Sequence, residues 1–256
     1  FIALLRYSMR DAGMLRIAHV MGWQRLFLIP AGAPASEGFY LRYPMDDFVA
    51  IAALESQRNS CVVIGEDLGT VPAGFRERMA AANLLSTRVF YFEQEHGRFR
   101  APNAFPKLAS VSATTHDLAT LRGYWEMDDI SAKARLGVIR PEEAQSARSR
   151  RAWDKRALLE ALRQEKLLPP EAGSGGAEDV SWSPALAEAV YLYLAKSPSL
   201  LLTVQLDDLA GELHQANLPD SGDNANWRRR LSISLEQLRA NASISQVLTE
   251  IAQQRE

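Results

Sequence analysis

A short β-branched run that ends abruptly in two carboxylates constrains this chain more than any other stretch in it. Residues 61–64 read Cys-Val-Val-Ile, and Gly65-Glu66-Asp67-Leu68-Gly69 follow. A continuous apolar run of this kind fits a strand buried on both faces, as in a parallel sheet. Gly65 and Gly69 bracket the acids and permit a tight turn. Thr70 is then placed to cap a helix with Pro72 in its first turn. Glu66 is therefore expected at the C-terminal mouth of a strand, where βα proteins carry their chemistry. An acidic surface turn is the plainer alternative.

The same alternation recurs along the chain. Strands are expected at residues 14–20, 61–65, 87–92, 110–115 and 200–206, with helices over 1–12, from Asp46 to about 57, 72–83, 141–167, 184–196 and 227–254. The first strand, Met-Leu-Arg-Ile-Ala-His-Val, carries Arg16 and His19 among apolar neighbours. Burying them is costly without partners, so they are either satisfied core groups or polar groups delivered into a cleft, and we favour the cleft. The fourth strand runs into His116-Asp117, and the fifth into Asp207-Asp208. The segment 31–43 reads as a long Gly/Pro/Ser loop, and Gly173–Gly176 as a flexible spacer. Buried strands alternating with helices give a parallel α/β domain. The 256 residues match a whole (β/α)₈ barrel of about 250, yet five strands fall short of eight, so part of a barrel is expected.

Composition narrows the function classes. A net charge of −2 offers no electrostatic case for nucleic acid or an acidic membrane. The runs Arg148-Ser149-Arg150-Arg151 and Arg228-Arg229-Arg230 read as solvated helix faces. The single cysteine, Cys61, lies inside an apolar strand and suits a reducing compartment, which points to the cytoplasm. No apolar run approaches a membrane span. The opening Phe1-Ile2-Ala3-Leu4-Leu5 is too short for a signal peptide and meets Arg6. The absence of an initiating Met reads as a start inside a longer protein. No His/Asp/Glu cluster has metal-ligand spacing, the pair Asp46-Asp47 reads as a helix cap, and no cofactor is expected.

Five segments together resemble the amylomaltase family, the bacterial 4-α-glucanotransferases or disproportionating enzymes. They are Leu15-Arg16-Ile17-Ala18-His19-Val20-Met21-Gly22, Tyr43-Pro44-Met45-Asp46-Asp47, Ile64 through Pro72, Thr115-His116-Asp117 and Asn226-Trp227-Arg228-Arg229. The resemblance implies the C-terminal part of a (β/α)₈ TIM barrel of the α-amylase-related type. Residues 1–256 would form one catalytic portion with about five of eight strands and a helical insertion at about 128–196. It implies malto-oligosaccharides and other α-1,4-glucans as partners. Glu66 matches the family's acid/base, Asp117 its stabilising carboxylate and His116 a substrate-binding neighbour. Arg16 matches the arginine that orients the nucleophile, and His19 lies with it at the strand end. The nucleophile's own position, an Asp in the family, is Ala18. A second departure is Asp220 after Pro219, where the family usually shows Gly.

Retaining transfer needs two carboxyl groups roughly 5–5.5 Å apart, one attacking the anomeric carbon and one shuttling the proton. Glu66 would be the proton shuttle, with a pKa raised by burial and neighbouring acids. Aromatic platforms favour a sugar acceptor over water, and Trp23, Tyr40, Tyr43 and Trp125 are candidates, each with core packing as its alternative. Without a group at Ala18 that can attack, very low activity is expected. A non-catalytic α-glucan-binding protein and an α-amylase-like hydrolase are the competing readings.

Overall fold

The computed structural model describes residues 1–173, 176, 178–222 and 226–256. Ser174 and Gly175 of the expected spacer lie outside the described residues, as do positions 223–225 of the polar loop before Trp227. In chain order the elements are α1 (Ile2–Met9), β1 (Met14–Ile17), β2 (Arg25–Leu28), β3 (Phe39–Arg42), α2 (Met45–Asn59), β4 (Val62–Gly65), α3 (Phe75–Ala81) and β5 (Leu85–Val89). Then follow β6 (Gln94–Glu95), β7 (Arg98–Phe99), β8 (Ala109–Ser112), α4 (Leu121–Glu126), α5 (Asp128–Arg135), α6 (Pro141–Gln164), α7 (Pro184–Ala195), β9 (Leu201–Thr203), α8 (Leu206–Leu209), α9 (Leu235–Ala240) and α10 (Ala242–Gln254). The fold is α/β, with a five-stranded sheet in the order β1-β4-β5-β8-β9. The β1–β4 and β4–β5 ladders are parallel, with Arg16 opposite Ile64 and Ile64 opposite Leu85.

All five expected strands form, but most are shorter or displaced. The first stops at Ile17 because Ala18 and His19 turn and a 3₁₀ helix starts at Val20. The third runs over Leu85–Val89, not 87–92, and passes into a 3₁₀ turn at Phe90–Phe92. The fifth ends at Thr203, so Asp207 and Asp208 lie on the short helix α8 and not at a strand exit. The expected loop at 31–43 contains β3, which pairs antiparallel with β2. Helix α3 begins after Gly74, whose φ of 76° sets the turn, so Thr70 is not its cap. Asp46 and Asp47 lie in the first turn of α2, where carboxylates favour the helix dipole, while Pro44 holds the cap position. Of the expected helix at 227–254, residues 227–234 are not helical, and the rest is two helices broken at Asn241, whose side chain caps the second.

The chain divides into two compact units. Unit 1 comprises Phe1–Arg88, Pro106–Ser110 and Ser199–Leu201. Its core gathers Leu5 and Met9 of α1, Val49 and Ala52 of α2, Val63, and Phe75 and Met79 of α3. These positions recur at helical spacing on each helix. Glu55, one turn after Ala52, is buried with them and is offset by Arg6 at 2.8 Å and Arg58 at 2.9 Å. The Arg6 hydrogen bond holds its carboxyl below the usual range. Cys61 is buried, and burial pushes its thiol pKa up.

Unit 2 comprises Val89–Phe105, Val111–Pro198 and Leu202–Glu256. Its core centres on α7, which is buried on nearly every side, from Leu186 to Leu194. Trp125 belongs to this core. Its Nε1 donates to the Val180 carbonyl at 2.9 Å and Lys155 covers its ring, so it is no sugar platform. Trp23 is likewise buried, in unit 1, against Phe1 and Phe48. The arginine run at 148–151 is not wholly solvated: Arg151 is nearly buried and grips both oxygens of Asp129 at 3.0 Å.

Candidate active site

The carboxylate at the end of β4 is held from the end of its neighbour β1. Gly65 has no room for a side chain: a Cβ there would lie 2.5 Å from Met79 Cε and 2.9 Å from Val20 Cγ1. The strand therefore passes tightly between α3 and the turn after β1. The Glu66 amide continues the ladder by donating to the Ile17 carbonyl at 2.9 Å, and the Val20 amide donates to the Glu66 carbonyl at 3.1 Å.

Both oxygens of the Glu66 side chain face donors. Arg16 Nη2 lies 2.9 Å from Oε1, and the His19 amide donates to Oε2 at 3.0 Å. Glu66 is 16 % exposed and Arg16 44 %, so the acid is recessed and its partner reaches water. His19 adopts a left-handed backbone, φ 49° and ψ 46°, which turns its N–H toward the carboxylate. Ala18 is exposed in the same turn. Arg16, which the family resemblance assigns to the nucleophile, here pairs with the acid.

Asp67 does different work. It is fully buried, takes a hydrogen bond from Arg76 Nε at 2.5 Å, and accepts the Thr87 amide at 2.8 Å. It ties the turn after β4 to α3 and β5, and so fixes the stem from which Glu66 projects.

In unit 2, β8 delivers Thr115, His116 and Asp117 into a loop gripped by the segment 205–217. Asn217 Nδ2 donates to Asp117 Oδ1 at 2.6 Å, and Gln215 Nε2 donates to the Asp117 carbonyl at 3.2 Å. His116 Nε2 lies 3.2 Å from Asp117 Oδ2. Gln205 Nε2 donates to the Thr114 carbonyl at 2.6 Å. Asp208 is buried, accepting the Leu121 amide at 2.7 Å and the Tyr191 hydroxyl at 2.6 Å. Burial raises its pKa to about 6 against the opposing pull of those donors. Trp227 is 66 % exposed, with its ring centroid 5.2 Å from that of His116. Asn226 staples the preceding loop through both Leu218 and Ser221.

Sequence reasoning missed Asn217, Gln215 and Asp208 as partners of this loop. Only Asn226-Trp227 had a signal, as part of a quoted motif. Among the described residues no group of three His, Cys, Asp or Glu side chains is close enough to hold a metal ion, and no helix is long and apolar enough to cross a membrane.

A family model described as 4-alpha-glucanotransferase matches residues 1–236. The chain belongs to the 4-alpha-glucanotransferase family. The 4-alpha-glucanotransferase of Haemophilus influenzae is 37 % identical over 256 residues, which is all of this chain and 36 % of that protein. The Mycobacterium tuberculosis protein of the same name is 39 % identical over 237 residues, 89 % of this chain and 31 % of its own length. The crystal structure of amylomaltase from Corynebacterium glutamicum superposes with a TM-score of 0.87 at 30 % identity, covering all of this chain and 37 % of that one. This 4-alpha-glucanotransferase-family chain thus spans about a third of the length of the relatives it matches. The fold is that of part of an amylomaltase. Asp220 has a φ of 64°, a conformation that glycine adopts freely and aspartate tolerates.

Proposed function

We propose that the chain is a portion of a retaining 4-α-glucanotransferase for malto-oligosaccharides and other α-1,4-glucans, with its nucleophile position vacated at Ala18. On this reading residues 1–256 serve one catalytic portion, with the helices at about 128–196 inserted into it. The observation that carries the reading is the recessed Glu66 at a strand exit, paired with Arg16 two residues before Ala18, in a chain of this family.

In the proposed reaction Glu66 gives its proton to the leaving 4-oxygen as the bond to the anomeric carbon breaks. It then takes the proton of the incoming 4-hydroxyl. Asp117, oriented by Asn217, offsets the positive charge that grows on the sugar ring. His116, His19 and Arg16 bind hydroxyls. An aspartate at position 18 would attack the anomeric carbon and carry the glycosyl group between the two steps. Alanine cannot, so this chain transfers many orders of magnitude more slowly than an intact enzyme. Its buried single cysteine suits the cytoplasm.

The test is maltotriose disproportionation by a form that spans the full length of the relatives, with and without Ala18→Asp. Longer and shorter chains appearing only with Ala18→Asp support the reading; equal rates overturn the assignment of position 18. Glucose release without longer products would favour an α-amylase-like hydrolase. The alanine also favours a second reading, a non-catalytic α-glucan binder, in which maltoheptaose binds and Ala18→Asp brings no activity.

A further inference from the structure

The β2–β3 hairpin of unit 1 carries a face that its own packing does not explain. Arg25 stands directly opposite Arg42, and Phe27 opposite Tyr40. Residues two apart share a face, so two guanidinium groups and two aromatic rings project together. Like charges in directly opposed positions destabilise a sheet. Here the pair persists on a hairpin of two four-residue strands whose residues are nearly all exposed. Phe27 lies so close over Gly38 that a Cβ there would be 2.3 Å from the ring. The Arg25 guanidinium lies 4.3 Å from the centre of the Tyr40 ring, which remains 55 % exposed.

Arg25, Tyr40 and Arg42 of this face, though not Phe27, line a pocket of about 670 Å³, within the usual range for small-molecule sites. Tyr43, Asp46 and Arg78 also line it. Asp46 is 3.7 Å from Arg78, so both signs of charge are present in one hollow. A small anion would meet the carboxylates at the start of α2, and a cation would meet three arginines. A neutral ligand with a flat apolar face and many hydroxyls meets aromatic rings for the face and planar donors and acceptors for the hydroxyls.

We infer that this pocket is a glucan-binding site formed by the hairpin and the first turn of α2, taking one end of a malto-oligosaccharide. The inference rests on the α-glucan reading above for its choice of sugar, and it adds a binding role that the Glu66 and Asp117 chemistry does not require. Tyr40 is the platform, and Arg25, Arg42 and Asp46 hold hydroxyls.

The test is titration of the ¹⁵N-labelled chain with maltoheptaose, following the amides and arginine side chains of the hairpin. Saturable shifts at Arg25, Tyr40 and Arg42 are expected, with affinity at the hairpin reduced at least tenfold in Tyr40→Ala and in Arg42→Ala. Asp117→Asn should leave that affinity unchanged. A hairpin that maltoheptaose does not move, or that responds to inorganic phosphate alone, overturns the inference even if Ala18→Asp gains transferase activity. Hairpin shifts in this chain, with no activity in a full-length Ala18→Asp form, uphold this site and sink the transferase reading instead.

Discussion

Asn217 places its side-chain amide 2.6 Å from the Asp117 carboxylate, across 100 residues of sequence. The Asn217 backbone N–H also donates to the His116 carbonyl at 3.1 Å, so one residue fixes both members of the His-Asp pair. Asn217→Ala leaves Asp117 free to change rotamer. Because Asp117 is about half exposed, the loss of stability is about 1 kcal/mol or less. The affinity for maltotriose should fall further, by about tenfold, which is about 1.4 kcal/mol. Calorimetry on the two chains checks it; equal affinities would show that Asp117 needs no holder.

Removing Asp67 strikes the stem of the candidate acid. Asp67→Ala strands the Thr87 amide in the interior and cuts a charge-assisted bond, a loss of about 3 kcal/mol. Asp67→Asn keeps an acceptor for Thr87 and loses only the charge. Urea unfolding should therefore rank the wild type above Asp67→Asn, and Asp67→Asn above Asp67→Ala.

Gly123 lies inside α4, where alanine would ordinarily add about 1 kcal/mol of helix propensity. Here a Cβ would fall 2.4 Å from the Leu213 carbonyl oxygen. The backbone of the 205–217 segment would have to retreat, at about 1–3 kcal/mol. Gly123→Ala should lower the melting temperature and loosen the hydrogen bond from Thr120 to the Glu212 carbonyl. Amide exchange in residues 212–217 reads the second effect.

Asp208 gives the fold a pH dependence of known sign. Burial raises its pKa in the folded chain from 3.8 to about 6, so the folded state holds the proton over a range where the unfolded chain has released it. Stability from this group is complete below about pH 4 and declines as pH rises to about 6, a change of about 3 kcal/mol. Asp208→Asn should flatten the stability profile between those pH values. An unchanged slope would assign the dependence to other groups.

How much of this was legible in sequence depended on how local the cause was. The run Val62-Val63-Ile64 ending at Gly65 forms the expected strand, because β-branched residues bounded by glycine leave few alternatives. The run at 200–206 misled because a short apolar stretch fits strand and helix alike, and Leu206 starts α8. The β2–β3 hairpin was hidden by the Gly/Pro/Ser segment between its strands, which reads as one long loop. Glu66 was visible as a strand-end acid, but its pairing with Arg16 depends on the register of β1 against β4. Asp208 was legible only as an acid at the end of the fifth strand, where it does not lie, and the partners of Asn217 and Asp208 could not be read because they lie far along the chain. Trp23 and Trp125 show the limit of residue type alone: both are core residues, while the exposed tryptophan beside His116 is Trp227.

The grip on the Glu66 Oε2 atom comes from the main chain of His19, not from its imidazole. Any residue that accepts a left-handed turn at that position, such as asparagine or glycine, would keep the acid anchored. The identity of the side chain at 19 is thereby uncoupled from the posture of the acid, and the imidazole can be exchanged to alter what the cleft recognises without rebuilding the cleft.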